Sequence, residues 1–140
     1  MIEFSFDTEF ELLEQDRLKK WIATTIASEG FELGEISFVF CDDDYLHKLN
    51  VEFLGHDTLT DIISFDYGMG KQVNGEIFIS VERVGDNAST YNVPFEKELH
   101  RVMIHGILHY CGYKDKTSLE EQNMRALEDK ALSELGFDYS

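Results

Sequence analysis

Apolar residues alternate with polar ones at Ile2, Phe4 and Phe6, and again at Ile36, Phe38 and Phe40, the period of two strands each buried on one face. Between them Leu18, Trp21, Ile22, Thr25 and Ile26 recur at helical spacing, and Gly30 stops the pattern. Asp7 or Thr8 can cap that helix, and Glu9, Glu11 and Glu14 suit its positive end, so the helix is expected to start there. Tyr45, Leu46, Leu49 and Phe53 mark a second helix, capped by one of Asp42, Asp43 and Asp44. An acidic metal site at those three residues is the less economical reading, because the helix begins there. After the loop Gly55-His56-Asp57, the stretch from Leu59 to Phe65 and the stretch from Gly75 to Val81 read as strands. They can pair as an antiparallel hairpin connected by Gly68 to Asn74. A polar helix follows from Val81 to Tyr91. Pro94 fits the first turn of another helix, which runs to Cys111 with Leu99, Val102, Met103, Gly106 and Tyr110 facing a core. Thr117 to Glu121 offers overlapping capping boxes for a last helix, whose apolar face is Met124, Leu127, Ala131 and Leu135 and which Gly136 ends. Strands and helices are interspersed with no linker or repeat, which predicts one mixed α/β domain over residues 1–140.

Composition supports this picture. With 140 residues, 43% of them hydrophobic, a chain can bury roughly 68% of its unfolded surface and fold without a disulfide or metal. Cys41 and Cys111 suggest no disulfide framework. The N-terminus lacks the basic start and apolar run of a signal peptide, and no uncharged apolar stretch approaches membrane-spanning length. A soluble, cytoplasmic protein is expected. Charge complicates the choice of partner. The net −16, from 28 acidic and 12 basic residues, repels RNA at long range, so any RNA binding must come from a local basic patch, a metal or a partner.

The candidate chemistry lies between His105 and Asp115. Two histidines four residues apart on a helix point the same way, only about 40° apart. Gly112 is suited to ending the helix in a left-handed turn, after which Asp115 can fold back towards the imidazoles. Two neutral nitrogens and a carboxylate oxygen form the ligand set of an open, catalytic zinc site. The competing readings are a chance histidine pair and an aspartate that caps the next helix. His100 and Cys111 lie at about 220° and 240° from His105 around the helix, away from that face. His100 reads as a surface or hydrogen-bonded residue and Cys111 as a small core residue. Zinc proteases of the H-E-x-x-H type place a glutamate after the first histidine as general base; here that residue is Gly106. Arg101, about −40° from His105, can steady a phosphate, or alternatively pair with Glu98 or Glu121 on the surface. Lys114 and Lys116 can form a basic rim.

His105-Gly-Ile-Leu-His-Tyr-Cys-Gly-Tyr113 resembles the signature of the YbeY family, H-G-x-L-H-x-x-G-Y-D-H. Thr60-Asp-Ile-Ile-Ser-Phe65 is similar to that family's T-N/D-V/I-L/I-S-F strand, and Gly75-Glu-Ile-Phe-Ile-Ser80 to its G-D/E-I-x-I-S strand. The likeness in order and spacing runs from about residue 33 to the C-terminus. It implies an α+β fold, a small mixed sheet packed with about five helices and a metal site in a cleft between helix and sheet. It implies further a metal-dependent, single-strand-specific endoribonuclease of ribosomal RNA maturation and ribosome quality control. One zinc ion per chain would be held by His105, His109 and Asp115. The implied partners are single-stranded and ribosomal RNA and the ribosome or its proteins, with no membrane and no DNA.

Two departures stand out. Where the family's motif ends D-H, this chain has Lys114-Asp115, so a carboxylate replaces the usual third imidazole and removes one unit of positive charge. The family's arginine shortly before the T-N/D strand is also missing: the stretch reads Phe53-Leu54-Gly55-His56-Asp57, where His56 is at most a partial substitute. No catalytic side chain is thereby assigned beyond water on the metal, with Arg101 as the candidate to hold phosphate. The alternatives are a metal hydrolase for another substrate class and a ribosome-assembly adaptor with a structural zinc, which an acidic surface could dock onto basic ribosomal proteins.

Overall fold

The computed structural model describes residues 1–140. Four strands, β1 (Ile2–Phe6), β2 (Glu32–Cys41), β3 (Ile62–Asp66) and β4 (Gln72–Ser80), form one sheet in the order β1-β2-β4-β3. β1 and β4 run parallel to β2, and β3 runs antiparallel to β4. Five helices accompany the sheet: α1 (Gln15–Ser28), α2 (Asp43–Leu49), α3 (Val81–Tyr91), α4 (Phe95–Tyr110) and α5 (Ser118–Leu135). A wider π-helical turn, Asn50–Leu54, extends α2. None of the helices is long and apolar enough to cross a membrane.

Strand alternation decides which face each residue buries. Ile36, Phe38 and Phe40 of β2 and Val73, Ile77 and Ile79 of β4 point to one face, where they join α1, α4 and α5 in the main core. The opposite face carries a smaller cluster of Cys41, Leu46, Ile63 and Phe78 beneath α2. The expected hairpin is present, with Ile62 opposite Ile79 and Ser64 opposite Ile77. Two helices start at their predicted caps. Asp42 Oδ1 accepts from the Tyr45 amide at 2.9 Å to open α2, and Thr117 and Glu120 form a full capping box at α5. Each such cap contributes on the order of 1 kcal/mol.

The predicted start of the first helix is corrected. Residues 7–14 are irregular and α1 begins at Gln15, after Glu14 in a left-handed conformation (φ 53°). Leu12 is buried, and Phe10 packs on Phe40 and Phe95. Two residues of spacing two cannot share one helical face, so tertiary packing holds this segment out of the helix. Strand bounds shift as well: β3 starts at Ile62 rather than Leu59, and β4 at Gln72 rather than Gly75.

His100 is fully buried, not at the surface, between Trp21, Phe137 and Tyr139. Its Nδ1 lies 2.7 Å from the Tyr139 hydroxyl, in keeping with the hydrogen-bonded alternative. Burial, with a smaller contribution from nearby Arg17, pushes its pKa down to about 4. Because the folded value lies below the unfolded one, near 6.5, its stabilising neutrality is complete above pH 6.5 and is lost as pH falls towards 4. Urea unfolding between pH 7 and pH 4 should therefore show the parent losing about 3 kcal/mol more stability than a His100→Gln variant. Equal losses would mean that His100 does not titrate on unfolding.

Candidate metal centre

α4 presents His105 and His109 one turn apart on one face, and their Nε2 atoms lie 3.0 Å from each other. The helix ends as its glycine requires. Gly112 adopts φ 97°, its amide donates to the His109 carbonyl, and the Tyr113 amide donates to the Leu108 carbonyl. This pair of bonds is the Schellman turn, which reverses the chain. Asp115 thereby returns to the imidazoles, with Oδ2 at 3.1 Å from His105 Nε2 and 3.3 Å from His109 Nε2. The capping alternative for Asp115 is not realised, since Thr117 caps α5.

These three atoms form the one group of potential metal ligands in the structure. Tetrahedral zinc, with ligands at about 2.0–2.1 Å, separates its ligand atoms by about 3.3–3.4 Å. The observed spacings fit one face of such a tetrahedron and leave a fourth corner without a protein ligand. Two imidazoles and a carboxylate also suit the ion chemically.

The sequence reading did not include Glu128 of α5. This residue is 5% exposed, and its Oε2 lies 2.6 Å from His105 Nδ1. The Nδ1–H donates to that carboxylate, which leaves the Nε2 lone pair for a metal. Glu128 Oε1 accepts from Arg101 at 3.0 Å, and Arg101 reaches Asp129 at 2.7 Å. Arg101 therefore neutralises a buried carboxylate, and its partners are Glu128 and Asp129 rather than Glu98 or Glu121. Burial works against protonated His105, but the hydrogen bond and charge of Glu128, with Asp115 and Asp61 behind, outweigh it and hold the pKa above the ordinary histidine value. A sequence signal for Glu128 did exist. It interrupts the Met124, Ala131, Leu135 stripe at a buried position, where a lone carboxylate needs a partner.

The remaining candidates are scattered. His56 is exposed in its loop and Lys114 and Lys116 are exposed. Cys111 sits half-buried at the end of α4, its thiol pushed up to about 11 chiefly by burial and then by Glu29, which makes it unreactive. Gly106 faces the sheet instead of the metal residues. A Cβ there would stand 3.1 Å from both Ile62 Cδ1 and Ile77 Cδ1, so the side chain of a protease-type glutamate has no room. Beside His105 and Asp115 opens a cleft of about 710 Å³ between α3, α4 and α5, to which the sheet contributes Ile62 at the start of β3 and the preceding Asp61.

Residues 3–136 match a family model described as Endoribonuclease YbeY, so the likeness extends past residue 33 to the first strand. A Flavobacterium johnsoniae protein named Endoribonuclease YbeY is 56% identical over 133 residues, covering 95% of this chain and 96% of that protein. A protein of the same name from Christiangramia forsetii is 50% identical over 132 residues, covering 94% and 92%. The solution structure of TM1509 from Thermotoga maritima superposes with a TM-score of 0.68 at 31% identity, covering 96% of this chain and 89% of that one.

Removing the Glu128 carboxylate frees His105 to rotate and to change tautomer. Zinc titration against a competing chelator should show Glu128→Ala binding about 10–100-fold more weakly than the parent. Unchanged affinity in a folded variant would remove Glu128 from the site.

Proposed function

Because the chain belongs to the endoribonuclease YbeY family, we propose that it cleaves single-stranded RNA, ribosomal RNA foremost, at a metal centre held by His105, His109 and Asp115. The observation that carries this reading is the convergence of three ligand atoms at 3.0–3.3 Å beside an open cleft. When bound, a zinc ion supplies Lewis acidity to a phosphoryl oxygen and lowers the pKa of water at its open position.

The chain's own groups prepare that chemistry. Glu128 fixes the ring of His105, and Arg101 compensates Glu128. Held by two carboxylates, Arg101 is a positioning residue and a poor phosphate ligand. Arg125 is better placed for that task. It lines the cleft, its side chain is 56% exposed, and its only ion pair is a loose 3.8 Å approach to Glu128. It supplies the cation that the stretch before β3 lacks. Asp115 in place of a third imidazole would give a bound ion one negative ligand and so a smaller net positive charge than three neutral ligands would leave it.

Free Cys41 and Cys111 favour a reducing, cytoplasmic setting. The net charge of −16 favours basic ribosomal proteins as the neighbours that bring the chain to its RNA.

Chelation should abolish cleavage of an unstructured RNA, and stoichiometric zinc should restore it. Folded His109→Ala should lose roughly a thousandfold in kcat/KM. Retention of the parent rate by that variant, with activity co-migrating with the protein to exclude a contaminant, would sink the assignment. Cleavage of an unstructured peptide in place of RNA would redirect it to another substrate class.

A further inference from the structure

Glu98 lies two helical turns before His105 and about 20° from it around α4, on the same face. It is 6% exposed, lines the cleft beside the metal residues, and forms no side-chain hydrogen bond or ion pair. No protein group pairs with its carboxylate, which opens onto the cleft, and burial of the side chain holds its pKa above the ordinary glutamate value. Its surroundings mix charges, Asp61 and Glu128 with Arg101 and Arg125, and Arg101 is committed to Glu128 and Asp129. Asn87 gives its amide nitrogen to Asp61 at 3.4 Å, and its amide oxygen accepts no hydrogen bond. Tyr91, 57% exposed, stands at the end of α3 on the cleft wall. The cleft volume of about 710 Å³ is within the range of small-molecule sites. The Glu98 carboxylate suits a neutral ring carrying N–H donors, and Arg125 on the same cleft stays available for the phosphate attached to it.

We propose that this cleft is a nucleobase subsite, in which Glu98 accepts the N1–H and N2–H of a guanine while Tyr91 stacks on the ring. The proposal rests on the RNA-cleaving reading above and names the base that reading leaves open. One carboxylate meets the two adjacent donors of guanine in a bidentate pair. Adenine and cytosine set their amino group beside an acceptor nitrogen, and uracil flanks its single N–H with carbonyl oxygens that a carboxylate repels. An aromatic face adds stacking energy whatever the base. A guanine seated here brings the backbone of its own nucleotide towards His105 and Asp115.

Isothermal titration of the zinc-loaded protein with guanosine, inosine and uridine 5′-monophosphates tests the subsite without requiring cleavage. The guanosine nucleotide should bind about tenfold or more tightly than the uridine nucleotide, with inosine, which lacks the N2 amine, between them. Glu98→Gln, which preserves volume, should erase the preference, and Tyr91→Ala should weaken all three alike. Cut sites mapped on a random single-stranded RNA should show guanine enriched at one fixed position beside the broken bond, and Glu98→Gln should remove that enrichment. Equal binding of the guanosine and uridine nucleotides, or a preference that survives Glu98→Gln, overturns the subsite whether or not RNA is cut. A protein that prefers guanosine nucleotide and leaves RNA intact supports the subsite and overturns the hydrolytic reading.

Discussion

The distance of α4 from the sheet is the constraint on which the rest depends. At Gly106 the helix lies so close that the tips of Ile62 and Ile77 occupy the space next to a missing side chain. A methyl group there would already require both isoleucine tips to give way by a few tenths of an ångström, and a longer side chain would require more. Close packing here sets His105 level with the start of β3, beside Asp61. It also leaves α5 on the far flank of α4, near enough for Glu128 to reach the His105 ring. A residue with no side chain thus positions a polar site on the adjoining face of the same helix, because a rigid helix transmits its placement to every residue it carries.

Electrostatics around the centre follow from burial. Glu128 is enclosed and charged, so it requires two donors, and it finds them in Arg101 and His105. That arrangement fixes a ring tautomer, but it removes Arg101 from the supply of cations available to a substrate. Arg83 is similarly committed, to Asp43 and Asp86. On a chain of net charge −16, Arg125 is the cleft's least committed arginine, with Lys97, Lys114 and Lys116 as unpaired cations nearby. In our reading the ion is the principal local positive charge as well as a catalyst, which explains how so acidic a surface can accommodate RNA.

The fold was readable from pattern wherever one strong periodicity met one clear stop signal. Both β1 and β2, the β3–β4 hairpin, α3, and α4 between Pro94 and Cys111 follow from alternation, helical spacing and caps. The reading failed at residues 7–14, where acidic residues and a possible cap imitate a helix start. Phe10 and Leu12 are drawn instead into the core by Phe40, Phe95 and their neighbours. No local propensity reports such a long-range contact.

The site divides in the same way. By itself the sequence determined the convergence of His105, His109 and Asp115, because a helical turn, a glycine-terminated helix and a short return are all local geometry. It also excluded a protease-type glutamate at Gly106. Only the tertiary structure decided that Glu128 reaches His105, that Arg101 pairs with Glu128 and Asp129, and that Glu98 is left facing a cleft. Those partners lie on α4 and α5, up to 28 residues apart in the chain, and their pairing depends on how the helices cross over the sheet. Local spacing carries no record of that crossing, so only the packed molecule could decide which of the 28 acidic residues would matter.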